Sequence, residues 1–131
     1  MNNTSSRPLS PHLTVWRWGP HMVVSILHRA TGVALSFAGL GILTWWLWAL
    51  ANGADSYAAF GKAAAHPLGL IVLIGLTWSF FQHLLSGIRH LVMDTGQGFE
   101  LGINKTMAIL TIVGSLLLTA LVWFYLLGGV K

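Results

Sequence analysis

Three stretches of this chain are almost uninterruptedly apolar, and the few polar residues inside them fall on narrow stripes. Residues 31–51 carry no charge, residues 68–88 none beyond neutral His83, and residues 106–130 none. Each run is long enough to cross roughly 30 Å of hydrocarbon as a helix. The pattern predicts an all-α integral membrane protein with three transmembrane helices, forming part of a larger helix bundle. The segments expected are an N-terminal segment 1–21, helix 22–51, loop 52–66, helix 67–94, loop 95–104 and helix 105–128. Within the first loop, residues 57–65 are expected to form a short interfacial helix carrying Lys62. Pro67 suits a first helical turn, Thr95-Gly96-Gln97-Gly98 supplies a turn, and Asn104 is the expected N-cap of the last helix.

Projected at 100° per residue, Ser25, His28, Arg29, Gly32, Ser36 and Gly39 share one arc of the first helix. Ser79, His83, Ser86, Gly87, His90 and Asp94 share one arc of the second. Small residues on such a stripe let another backbone, or a flat ring, approach closely. For Ser36, Gly39, Ser79 and Ser86, ordinary helix packing accounts for the pattern.

Charge fixes an expected orientation. Of the seven basic residues, Arg7, Arg17, Arg29, Arg89 and Lys105 fall on one side of a three-span protein, and Lys62 and Lys131 on the other. The excess of Lys and Arg places the N-terminus in the cytoplasm. Trp16 and Trp18 then fall at the inner interface, and Trp45, Trp46, Trp48, Trp123 and Tyr125 at the outer. The net charge of +4 comes from cations spread over loops and forms no nucleic-acid patch. The first residues resemble neither a cleavable signal nor a transit peptide, which favours a bacterial inner membrane. With no cysteine, disulfides, cysteine-ligated clusters and a covalently attached haem are excluded.

His83 is the candidate for chemistry. An imidazole at that depth lacks water and requires a partner. Either it hydrogen-bonds a neighbouring carbonyl or serine, or it binds a metal, which in a membrane redox protein is usually haem iron. Gly87, one turn on, removes bulk where a porphyrin edge would lie. His28, Arg29 and His90 stand near the inner ends of their helices, where donors would meet haem propionates. Arg89 reads as a cation reaching toward anionic headgroups, and Asp94 as a possible partner of Arg89, Arg7 or Arg17.

Two stretches together resemble the cytochrome b subunit family of succinate dehydrogenase (respiratory complex II). One runs from Arg7-Pro8-Leu9-Ser10-Pro11-His12-Leu13 through Ser25-Ile26-Leu27-His28-Arg29-Ala30-Thr31-Gly32. The other is His83-Leu84-Leu85-Ser86-Gly87-Ile88-Arg89-His90-Leu91 with Asp94. The resemblance covers nearly the whole chain; Trp16 stands where the family more often has Tyr. It implies a membrane anchor that shares one haem b with a second small anchor, each giving one axial histidine, here His83. It places His28 near the propionates, and Ser25 and Arg29 at a quinone site taking ubiquinone or menaquinone. It also implies a flavoprotein that oxidises succinate and an iron–sulfur subunit that relays the electrons. On this reading the chain is no enzyme by itself, and its N-terminus, with Pro8 and Pro11, lies against the soluble subunits.

Two other readings compete. A haem-free structural anchor, as in some fumarate reductases, leaves His83 without a strong partner. A transporter subunit relaying protons through His28, His83 and His90 calls for carboxylates in the spans, and between residues 31 and 88 there is only loop Asp55. A variant with both haem ligands in this chain is disfavoured at this stage, because rise along the helix places His28 nearer the membrane end than His83.

Overall fold

The structure is a computed structural model that describes residues 17–128. It contains α1 (Pro20–Ala51), α2 (Ala54–Ala65), α3 (Pro67–Asp94) and α4 (Leu101–Gly128), with no strand among the described residues. The helices α1, α3 and α4 have 32, 28 and 28 residues. At about 1.5 Å per residue each exceeds 40 Å, more than the hydrocarbon thickness of a bilayer. The expected segments 1–16 of the N-terminus, with Arg7, Pro8, Pro11 and Trp16, and residues 129–131 lie outside the described residues.

Local chemistry sets the helix ends. Pro20 occupies the first turn of α1, where its missing N–H costs nothing. At the far end of α1 the Asn52 amide donates to the Trp48 carbonyl at 2.7 Å. The imidazole of His66 accepts from the Leu68 amide at 3.3 Å and caps α3 ahead of Pro67. The last helix begins at Leu101, ahead of Asn104. Asn104 is therefore not an N-cap: its own N–H already donates to the Glu100 carbonyl at 2.8 Å, which frees its side chain for α3.

The interior is the reverse of a soluble core. Among the described residues only Val24, Ala49 and Ala108 are buried and apolar, whereas Thr31, Ser79, Gln82, Ser86, Arg89, Thr111, Ser115 and Thr119 are buried and polar. Large apolar side chains such as Phe37, Leu117 and Phe124 face outward. Lipid tails are as apolar as leucine, so small and hydrogen-bonding residues are what hold such helices together.

The most extensive interface joins α3 to α4, and α1 lies across both. Ser115 of α4 donates to the Gln82 side chain of α3 at 2.8 Å. Bonds of this type contribute about 0.6 kcal/mol on average in membranes. The hydroxyls of Thr111 and Thr119 donate back to their own helix at 2.9 and 2.7 Å, so they satisfy themselves without needing a partner across the interface.

The expected stripes resolve differently in space. On α3 the buried edge is Ser79, Gln82, Ser86 and Arg89, with Gln82 and Arg89 bonded to α4 and Ser86 to α1, while His83 is half-buried and His90 and Asp94 are exposed. On α1 the buried positions are Val24, Thr31 and Ala49, and Ser36 is exposed. Over Leu35–Gly39 the turn of α1 widens, with the Leu40 amide donating to the Leu35 carbonyl five residues back. A wide turn breaks the 100° period, so a projection carried through it assigns the wrong face.

Gly69 closes the corner between α2 and α3. A Cβ there would lie 2.0 Å from the Ala63 carbonyl oxygen, a backbone atom that cannot step aside. Gly69→Ala is expected to open this corner and to destabilise the protein by about 1–3 kcal/mol, measured as a lower thermal midpoint of the purified protein. Gly75→Ala, with open space around it, is the matched control.

Candidate functional site

The α1–α3 crossing gathers three histidines. The rings of His28 and His83 stack with centroids 3.9 Å apart and planes 7° from parallel. His90 lies on the other side of His28, at 5.1 Å and 25°. Depth counted from helix ends had set His28 and His83 at different levels; the structure places them side by side. The count fails because it takes the helix ends to be level, and α3 runs on for eleven residues past His83 to Asp94.

Hydrogen bonding settles how His83 is oriented. Its Nδ1 lies 3.1 Å from the His28 carbonyl oxygen and 3.4 Å from the Thr31 hydroxyl. The Thr31 proton goes to the Leu27 carbonyl at 2.7 Å. A carbonyl only accepts, so Nδ1 carries the hydrogen, and in the neutral ring Nε2 then keeps its lone pair. Among the described residues nothing bonds to that Nε2. An imidazole whose Nδ1–H is held by a carbonyl and whose Nε2 is free is the form that ligates metals. The carbonyl thus takes one nitrogen of His83, and the other is left without a bond among the described residues.

The surroundings maintain that pose. At Gly32, one turn beyond His28, a Cβ would lie 2.9 Å from His83 Cε1. The hydroxyl of buried Ser86 contacts His28 Nδ1, and His90 Nδ1–H donates to the Ser86 carbonyl at 2.7 Å. At Gly87 a Cβ would meet His28 Cε1 at 3.8 Å, an ordinary contact, so the chain's own packing does not require glycine there. Sequence reasoning passed over Thr31, which it named only within the motif, and gave Ser86 a packing role alone.

Ser25 is half-buried and Arg29 exposed, one turn apart on α1, and neither side chain has a hydrogen bond or ion pair among the described residues. Arg89 does not reach outward as its sequence context suggested. It is buried against α4 and donates to Asn104 Oδ1 at 2.7 Å, and Asp94 does not pair with it.

The donor set says what kind of group fits. Among the described residues no three His, Asp or Glu side chains converge on a bare metal ion. A metal taken by His83 would have to bring most of its own ligands, as iron in a porphyrin does. The stacked His28 ring, in contact with His83 at 3.9 Å, leaves no space for a macrocycle between the two. They cannot be the two axial ligands of one iron as they stand.

Residues 3–122 match the family described as succinate dehydrogenase/fumarate reductase transmembrane subunit. The chain belongs to this family. It is 40% identical over 119 residues to the succinate dehydrogenase cytochrome b556 subunit of Paracoccus denitrificans, spanning 91% of each chain. Identity to the subunit of that name in Rickettsia conorii is also 40%, over 91% of this chain and 92% of the relative. The mitochondrial cytochrome b560 subunit of Sus scrofa is 35% identical over 92% of this chain and 74% of its own. The family membership expected from the two motifs is borne out, as is the three-span, all-helical fold. The protein is a multi-pass membrane subunit of succinate dehydrogenase type.

Proposed function

We propose that this chain is the haem-ligating, quinone-site anchor of a bacterial succinate:quinone oxidoreductase, with its basic end in the cytoplasm. The observation that carries the proposal is the His83 imidazole, held at Nδ1 by the His28 carbonyl and free at Nε2. His83 would hold haem b through Nε2, shared with a second small anchor. The bound haem supplies a one-electron store within the membrane. His28, Arg29 and His90, gathered at the basic end, would donate to propionate carboxylates, His90 as the imidazolium because its Nδ1–H already goes to the Ser86 carbonyl. The haem-free alternative leaves that nitrogen without a partner in an apolar span.

Ser25 and Arg29 carry the quinone side. A quinone carbonyl gains negative charge on reduction, and a hydroxyl with a fixed cation stabilises it. Their unengaged side chains are available to a ligand held between this chain and its partners. Electrons then arrive from the iron–sulfur subunit docked at the same end, after the flavoprotein has oxidised succinate, and none of that earlier chemistry belongs to this chain.

A reduced-minus-oxidised spectrum of the purified complex tests the reading: one b-type haem per complex is expected, and a colourless, fully assembled complex overturns it. Arg29→Leu is expected to lower quinone reduction at least tenfold while succinate oxidation by a soluble dye changes less than twofold. Equal loss of the two activities would remove the quinone role.

A further inference from the structure

Arg89 is the strangest charge in the molecule. It is 6% exposed, sits on the α3–α4 seam, and has one hydrogen-bond acceptor among the described residues, the Asn104 amide oxygen at 2.7 Å. Its Nε is buried with no acceptor among the described residues. The remaining polar group of Asn104 faces the sulfur of Met93 at 3.9 Å. The acids at this end, Asp94 and Glu100, make no ion pair with it. A buried guanidinium without an anion is the costly arrangement of a charge in an apolar span, so this position favours an anionic ligand.

A groove of about 200 Å³ runs beside it, lined by Leu85, Ile88, Val92, Leu110 and Arg89 itself. Ile88 and Leu110 are exposed on the outer surface of the helices, so the groove opens sideways, where lipid lies. Arg89 is five residues from Asp94, the last of α3, or about 7.5 Å of helix rise. A cation at that depth, with hydrocarbon walls leading away from it, matches an anion that carries its own hydrocarbon. The planar guanidinium fork suits a phosphate in particular.

We infer that the α3–α4 groove binds one anionic phospholipid, its phosphate on Arg89 and the start of an acyl chain along Leu85, Ile88 and Leu110. The site is separate from the histidine cluster: six residues at 100° place Arg89 about 120° around α3 from His83. The inference therefore stands or falls independently of the haem and quinone assignments. Lys105, exposed beside Asn104 on α4, adds a second cation to the same end.

Delipidated complex, titrated with phosphatidylglycerol in mixed micelles and followed by native mass spectrometry, provides the test. One tightly held phosphatidylglycerol per copy of this chain is expected, bound severalfold more tightly than phosphatidylcholine and not displaced by millimolar inorganic phosphate. Arg89→Gln is expected to weaken it at least tenfold and Arg89→Lys much less. Leu110→Trp fills the groove without touching the charge, and should abolish binding even if Arg89→Gln fails to assemble. Unchanged lipid binding in Leu110→Trp and Arg89→Gln overturns the inference. So does loss of a neighbouring subunit from Arg89→Gln with lipid binding intact, which would assign the anionic partner to a protein carboxylate.

Discussion

Replacing His83 with alanine is expected to empty the complex of haem while leaving the three long helices in place. The side chain is half-buried, and its polar contacts are to the His28 carbonyl and the Thr31 hydroxyl. The carbonyl remains bonded within α1, and Thr31 keeps its bond to Leu27. The loss therefore falls on the ligand and not on the fold. Pyridine haemochrome analysis should drop from one haem per complex to less than a tenth, with subunit stoichiometry unchanged on a native gel. A haem band of wild-type intensity in His83→Ala would move the iron to another residue and overturn the assignment.

The second large effect is expected at Gly32. An alanine methyl would stand 2.9 Å from His83 Cε1, closer than such atoms approach, and the obstacle is an imidazole pinned at Nδ1 and stacked on His28. The ring has to tilt or α1 has to move off α3, at about 1–3 kcal/mol for overpacking of this kind. Tilting breaks the 3.1 Å bond to the His28 carbonyl, which sets the tautomer. Gly32→Ala should therefore lower haem occupancy severalfold and alter the low-spin electron paramagnetic resonance signal of what remains. Gly87→Ala, whose methyl makes only a 3.8 Å contact in the isolated chain, separates two ideas. If haem is lost there too, the glycine makes space for the macrocycle itself.

Much of the architecture was readable from hydropathy because a bilayer admits so few solutions: long apolar runs become helices, Pro20 and Pro67 mark where two of them begin, and the Thr95–Gly98 turn marks where one stops. The histidines were readable as well, since a polar ring in an apolar run is conspicuous. What escaped was rotation and level. The wide turn at Leu35–Gly39 leaves no signature in a periodic projection, so the faces of the residues beyond it could not be read. The levels of His28 and His83 depend on how far α3 continues past the crossing, which no single helix records. Arg89 was misread for a related reason. Its nearest acceptor, Asn104, is fifteen residues away on another helix, and the residue had been expected to end a loop instead.

The wide turn in α1 also divides that helix into two parts with separate tasks. An extra residue in one turn advances everything after it by about 100°. The half bearing Ser25, His28 and Thr31 is keyed to the histidine crossing. The half bearing Trp45, Trp46 and Trp48 is aimed independently at the far interface. Deleting a single residue between Leu35 and Gly39 would act like a slipped gear: it would swing the tryptophans around the helix axis while the imidazoles kept their stations.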